Sequence, residues 1–539
     1  MNNSVSPFDF RRPLRLLIVA DGLIHFSATK FGLSEFIQKG ITTGVNPWSH
    51  LEITTARRGE DFDRCSNLCD FVFDKSSFGI EKFDQVWLFG QEGEEAPHIQ
   101  DSEIEVIADF MNHGGGVFAT GDHKSLGAAM CGGIPRVRKM RKWFFKLATS
   151  LGMRAPGEED ETRLDTLQIG DPGFQMDDQS DNIPQRIQPK YFREPCGTLS
   201  FPHPLLTGRE SPISVLPDHM HEGECVVPKG SELKGTFTVN GKEFCEFPVW
   251  ESDKPMPPET VAIGTSAGGY WKSLLGTDVM PVEPRCFKVI VVYEGDRIAV
   301  DGTKLGRVVV DSSFHHFVDI NLRGTGSTDP NKKGLYDAND NPTPEYESIK
   351  QYYRNIVKWL TPATVRMGMY EALLLELRFN SFLIEEISPL PSPEFNDILH
   401  AGAVTRKVLA QRFSPSEPLL CALSLLDNAH DPRLGLTMQR LLDPWRPTSQ
   451  QASMLLKAIN STFFVDSILG IAMLNVANEL PHDEFRAARK LSTLETPLTL
   501  IPRTISNDTL AQLASVIDRS REKLGEISSL LQPSPPPGS

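Results

Sequence analysis

Apolar positions along this chain change period twice, and each change marks a different kind of element. Leu14–Ala20 (LRLLIVA) is an almost unbroken apolar run ended by Asp21. A run of this length without alternation fits a strand buried on both faces of a parallel sheet. Leu51–Ala56, Phe83–Phe89 and Val117–Thr120 read the same way. Between them the period lengthens. Phe31–Lys39 predicts a helix that stops near Gly40. Ser102-Glu-Ile-Glu105 forms a capping box ahead of Ile104, Val106, Ile107 and Phe110, and Gly114–Gly116 ends that helix. Strands and helices alternating at this spacing predict right-handed crossovers and a parallel sheet covered on both faces.

From about residue 210 the pattern becomes strand-rich. Phe287–Tyr293 and Arg307–Asp311 are the clearest strands, joined by a polar, glycine-containing turn. Glu345–Leu360 returns to helical spacing, with Tyr346, Ile349, Tyr353, Ile356, Val357 and Leu360 on its apolar positions. Thr361-Pro362 ends it. After Pro362 strand signals vanish. Helix-length blocks rich in Leu, Ala, Arg and Glu fill 364–385, 395–412, 417–427, 449–479, 483–492 and 506–531. No repeat of fixed period appears. The expected organisation is an α/β domain over 1–362 with an acidic excursion near 151–200, an all-α domain over 363–532 and a disordered tail at 533–539.

Composition narrows the function classes. The chain has 539 residues, a net charge of −15, and 40% hydrophobic residues, an ordinary globular mixture. That charge disfavours general affinity for phosphate backbones, so nucleic acid is not the expected partner. The 8 cysteines are scattered, with Cys65 and Cys69 the only close pair, as in a protein with reduced thiols. No stretch approaches the ~20 apolar residues of a membrane span, and the first apolar run is too short for a signal peptide. A cytoplasmic protein without membrane attachment is expected. No Gly-x-x-x-x-Gly-Lys-Ser/Thr motif occurs, and the glycine trio precedes a strand where a dinucleotide fingerprint would follow one.

Candidate chemistry gathers at strand ends. Gly116–Gly127 runs from a strand through Gly121 straight into Asp122 and His123. A strand turning sharply into a helix exposes its turn residue at the carboxyl edge of the sheet, where ligands of open α/β sheets bind. Asp21 follows the first strand to that same edge. Asp218-His-Met-His-Glu222 places His219 and His221 two apart; if extended, both project to one side. This pattern admits three readings: a polar loop, acid/base work with Glu222 orienting a ring, or a divalent metal such as zinc on His123, His219 and His221. Asp311-Ser-Ser-Phe-His-His316 follows a strand as well. On an extended chain only one of His315 and His316 faces the site; His316 is preferred, with Asp311 orienting it. The basic run Arg136, Arg138, Lys139, Arg141 and Lys142, beside Trp143, reads as a solvated helix face.

The order of these pieces resembles the trehalose-utilisation (ThuA-like) family of the class I glutamine amidotransferase-like superfamily. The matching pieces are the first strand, Ser102–Gly116, His203-Pro-Leu-Leu-Thr-Gly208, Asp218–Glu222, Gly306–His316 and Tyr353–Trp359, which together span roughly residues 14–360. The resemblance implies a flavodoxin-like sheet with a site at the residue-123 elbow. True glutamine amidotransferases carry cysteine there; Gly121-Asp-His123-Lys-Ser125 has histidine, and Cys131 lies too far along. Glutaminase activity is therefore not expected. The expected function is binding of, or hydrolase- or lyase-type chemistry on, a small polar, sugar-like metabolite. His123, Asp122, His219, His221, Glu222 and His316 are the catalytic candidates, and Asp21, Gly121, His315 and Asp311 the ligand-binding ones. The competing expectation is a non-catalytic sensor or scaffold whose helical domain binds a protein partner or a second copy of the chain.

Overall fold

A computed structural model describes residues 13–42, 51–59, 66–91, 98–122, 126–143, 184–193, 200–217, 223–251, 254–266, 269–272, 279–282, 285–299, 301–327, 334–378, 381–426 and 461–479. Contacts group the chain into two units. One comprises residues 12–192 with 202–365; the other comprises 366–539 with 1–11 and 193–201.

The first unit is built on a nine-stranded mixed sheet. In chain order its strands are β1 (Leu14–Ala20), β2 (Leu51–Arg57), β3 (Gln85–Gly90), β4 (Gly116–Gly121), β5 (Gln185–Pro189), β6 (Val215–Leu216), β7 (Glu259–Ser266), β8 (Arg285–Tyr293) and β9 (Val308–Asp311). Their spatial order is β2-β1-β3-β4-β9-β8-β7-β5-β6. The first five are parallel. That order is the one of doubly wound sheets and is compatible with a flavodoxin-like arrangement. The remaining four pair antiparallel, so the sheet is not the all-parallel one the apolar runs predicted. Between β8 and β9 the chain runs out and back, with Arg297–Ile298 paired antiparallel to Lys304–Leu305, and so returns beside β8 in the opposite direction.

Apolar residues fill both faces of the parallel half. Leu17, Val19, Val117, Ala119 and Val310 face one layer with Ile107, Phe110 and Met111 of helix α1 (Asp101–Asn112). On the other face Trp87, Phe89 and Phe118 meet Phe36, Phe317 and Tyr353 in a web of edge-on and tilted rings. Each fully buried Leu, Val or Phe adds about 1.5–3 kcal/mol, so the sheet's edges hold still relative to one another.

Three local expectations shift. The Ser102 capping box is replaced by one two residues earlier: the helix starts at Asp101, and Glu103 Oε2 accepts from Gln100 N at 2.9 Å. Glu103 is drawn there because it also pairs with buried Arg58 and accepts from Phe73 N. The helix predicted at Phe31–Lys39 is a wider π-type turn at Phe36–Ile41. Gly40 lies against the Tyr353 ring, which a Cβ would meet at 2.9 Å. The acidic excursion is described only from residue 184, and there it supplies β5, whose buried positions alternate with exposed ones.

Helix α2 (Pro344–Leu360) matches its apolar spacing, with Thr343 Oγ1 accepting from Tyr346 N at 3.3 Å. The described elements after it are the helices Ala363–Leu377, Ser381–Glu386, Phe395–Arg412, Glu417–Leu426 and Ser461–Glu479. The predicted helices at 483–492 and 506–531 and the tail lie outside the described residues. Among the described residues no helix is long and apolar enough to cross a membrane.

Candidate functional site at the carboxyl edge

The ends of β1, β3, β4 and β9 bring four polar segments to one edge. Asp21, after β1, accepts through Oδ1 from Gln91 N at 2.7 Å, after β3. Asp122, after β4, donates its N–H to Gly90 O at 3.3 Å. Gly121 is required by this crowding: a Cβ would stand 2.1 Å from Leu126 O and 2.7 Å from Gly90 O. Asp21, Asp122, Asp311, Ser312, Ser313 and His316 are all buried, and His315 nearly so.

After β9 the chain makes a single 3-10 turn, Phe314–His316, capped by Ser313 Oγ, which accepts from His315 N at 3.1 Å. This corrects the extended-chain expectation. On a 3-10 turn successive side chains diverge by about 120° rather than pointing oppositely. Each histidine thereby reaches its own carboxylate. His316 Nδ1 lies 2.6 Å from Asp311 Oδ1. The other Asp311 oxygen accepts from the Tyr352 hydroxyl at 2.7 Å, and Ser313 N donates to Oδ1 at 3.1 Å. The Tyr353 hydroxyl donates to His316 O, so consecutive tyrosines of α2 hold the turn. His315 Nδ1 lies 2.9 Å from Asn321 Oδ1, and its Nε2 lies 4.0 Å from Asp122 Oδ1. Ser313 Oγ donates to the second Asp122 oxygen.

His316 carries the chemistry most clearly. A carboxylate on Nδ1 fixes the proton there and leaves Nε2 as a lone pair. Among the described residues that Nε2 has no hydrogen-bond partner, although it is buried. An orphaned buried polar atom costs about 1–3 kcal/mol. The same carboxylate–imidazole pair serves a general base or a metal-ligating histidine, since both need an oriented, basic Nε2.

Arg141 locks the corner, and the sequence reading missed it. It is buried rather than on a solvated face. Its five N–H groups go to main-chain carbonyls: Nε and Nη2 to Ser312 O at 3.2 and 2.7 Å, Nη1 to Leu126 O at 2.7 Å and Lys142 O at 3.4 Å, and Nη2 also to Gly121 O. Desolvation lowers its pKa, while Cys225, Asp122, Cys131 and Asp311 favour the cation. Gly223 (φ +63°) lies against it; a Cβ there would fall 1.9 Å from Nη2. Burial also explains the basic run's misreading: Arg136 and Trp143 are inside as well. Ser313, Tyr352 and Asn321 were likewise unforeseen. Ser313 had a signal, standing inside the quoted Asp311–His316 motif; Tyr352 and Asn321 had none.

The structure thus brings together Asp21, Gly121, Asp122, Asp311, His315 and His316. His123, His219, His221 and Glu222 lie outside the described residues, and the proposed zinc ligands with them. Among the described residues no group of three or more His, Cys, Asp or Glu is placed to hold a metal ion. Cys131 is buried, and desolvation pushes its thiol well above the usual range, which opposes a nucleophilic role. No family model matches this chain, and no curated protein matches it.

Proposed function

We propose that the chain is a ThuA-like protein, flavodoxin-like in its first domain, that binds and acts on a small, neutral, sugar-like metabolite at this carboxyl-edge corner, without glutaminase activity. His316 is the base. The observation that carries the reading is its buried Nε2, without a hydrogen-bond partner among the described residues while Asp311 holds Nδ1 at 2.6 Å. Charge favours a neutral molecule. Asp122 and Asp311 are buried beside the 3-10 turn, and Arg141, a cation among the described residues there, has spent its donors on carbonyls. A phosphate or carboxylate ligand would meet repulsion from those carboxylates, with the Arg141 fork already committed to carbonyls.

Thermal-shift fluorimetry against neutral aldoses and polyols, with their phosphorylated counterparts alongside, tests this. A member of the neutral set should raise the melting temperature of the native chain and leave His316→Gln unmoved. No response to any neutral compound, or an equal response in both proteins, overturns the reading.

A further inference from the structure

We propose that the hairpin arm Thr236–Cys245 is a latch: docked on α1, it holds the carboxyl-edge corner shut, and its release opens the way to His316. The coupling of arm to corner stands on contacts alone, and its use as an entrance rests on the proposed function.

The corner is closed in this state. His316 is fully buried, and so are Asp311, Ser312 and Ser313 around it. Arg141 staples three stretches of chain together there, through the Gly121, Leu126 and Ser312 carbonyls. A ligand reaches Nε2 only after some element moves, and the segment that carries Arg141 shows which.

Five residues before Arg141 the backbone is strained. Arg136 has φ +65° and ψ −58°, and Val137 N donates to Pro135 O at 2.7 Å. This is the γ-turn of the rarer hand, at a residue that carries a side chain. Such a conformation persists only where its surroundings impose it. Glu246, a wholly buried carboxylate, does so. Its Oε2 accepts from Arg136 N at 3.0 Å, and its Oε1 takes the Arg138 guanidinium. Arg136 Nη2 is anchored in turn on Asn112 Oδ1 at 3.1 Å. One carboxylate thus pins both the apex of the turn and the residue two beyond it. Arg141 follows three residues later, so relaxation of the turn shifts the staple.

Glu246 stands at the base of the arm. Its N–H donates to Gly235 O at 2.9 Å, which closes the hairpin. Asn240 and Gly241, both at positive φ, make the tight turn at its tip, so the arm is a preformed unit. Val239 and Phe244 seat it on Ile104 and Ala108 of α1, in a small cluster separate from the sheet's core. Phe237 stacks on Phe244 with centroids 5.5 Å apart, and the Arg138 guanidinium lies 4.3 Å from the Phe237 ring centre. Phe247, the next residue after Glu246, is rooted in the core against Tyr293. An element seated by so small an apolar cluster opens before the sheet does. Swinging about Phe247, the arm draws Glu246 off both arginines, and the strain at Arg136 favours that step.

Native-state amide exchange in rising urea tests the coupling. Residues 236–246, 136–141 and 312–317 should share one opening, reached well before β3 exchanges. Phe244→Ala loosens the arm away from the corner and should quicken exchange at 312–317 at least about tenfold, a low figure for truncating a buried phenylalanine. Glu246→Gln keeps an acceptor for Arg136 N, drops the charge on Arg138, and should quicken the same amides. An arm that quickens alone, or only together with β3, overturns the latch. Acylation by diethyl pyrocarbonate, read by peptide mass, tests the entrance. His316 should react faster in Phe244→Ala than in the native chain, with buried His203 unchanged. Coupled exchange with an equally unreactive His316 overturns the entrance. Neither readout uses a sugar, so failure of the proposed function, seen in thermal shift, is told apart from failure of the latch.

Discussion

Two buried histidines in the same unit, His316 and His203, have the same exposure and different chemistry. Each leaves its Nε2 without a hydrogen-bond partner among the described residues. What differs is the group at Nδ1. At His316 it is a carboxylate, which fixes a proton on Nδ1 and makes Nε2 a base. At His203 it is a backbone amide: Leu205 N donates to Nδ1 at 3.2 Å. There Nδ1 uses its lone pair, so Nε2 carries the hydrogen and the ring is a neutral donor. Trp359 packs edge-on against it at 5.1 Å. Desolvation pushes the His203 pKa down to about 3, with Arg307 and Lys190 adding to the shift and Glu294 opposing it. A ring so hard to protonate caps a turn; it does not do acid/base work near neutrality. Burial alone therefore does not mark a functional histidine. The partner at the first nitrogen decides.

The largest expected effect breaks the His316 side of this comparison and spares the other. Arg141→Met removes the donors to Gly121, Leu126 and Ser312 carbonyls at once. Three unsatisfied buried acceptors at about 1–3 kcal/mol each predict a loss of about 3–9 kcal/mol in urea unfolding. Amide exchange should quicken around 312–316 before it changes around 203–207. A variant as stable as the native chain, or one that loosens both turns equally, would show that Arg141 does not hold the corner.

The sequence disclosed the strands and their carboxyl ends because a parallel sheet buried on both faces writes itself as apolar runs. From those ends Asp21, Asp122, Asp311 and the His315–His316 pair could be named. What stayed hidden depended on distance along the chain. Tyr352 meets Asp311 across 41 residues, and Arg141 reaches Ser312 across 171. A basic run looks alike whether its arginines face water or main-chain carbonyls, so Arg141 read as surface. The 3-10 turn was hidden for a local reason. Ser313 acts as its cap, and a Ser-Phe-His-His segment after a strand carries no periodicity to announce a single turn. The antiparallel half of the sheet was hidden because apolar runs give no strand direction.

The next prediction sharpens the His203 side. An ordinary histidine titrates near 6.5, and in the unfolded chain His203 does so. Folded, it resists protonation down to about 3. As pH falls below 6.5 the unfolded state takes up a proton that the folded state refuses. Stability from this group is therefore intact above 6.5 and lost progressively toward 3, at roughly 1.4 kcal/mol per pH unit. His203→Asn keeps an oxygen to accept from Leu205 N and removes the titration. By pH 5 the variant should recover about 2 kcal/mol relative to the native chain, against its own difference at pH 7.5. Urea midpoints at the two pH values measure this, and parallel pH profiles for the two proteins would refute the neutral-donor assignment.

The last test concerns a third buried group, three residues beyond His316 on the same segment, and it carries the comparison over to an acid. Asp319 accepts from Glu35 N at 2.8 Å. Its pKa is raised to about 7, chiefly by desolvation and also by the Glu35 charge, against the main-chain hydrogen bonds from Glu35 and Ser34 and the Arg323 charge. Burial thus drives His203 and Asp319 in opposite directions on the pH scale and toward the same end, the neutral form. The sign for stability reverses accordingly. Below 3.8 Asp319 is protonated in both states. Between 3.8 and 7 the unfolded carboxyl gives up its proton while the folded one keeps it, so stability falls as pH rises through that window and levels off above it. Asp319→Asn has no proton to lose and can still accept from Glu35 N. Its unfolding midpoint should gain on the native chain steadily from pH 4.5 to pH 7, then run parallel to it at pH 8. A constant difference across that range would mean that Asp319 stays ionised when folded, and that its amide partners outweigh burial.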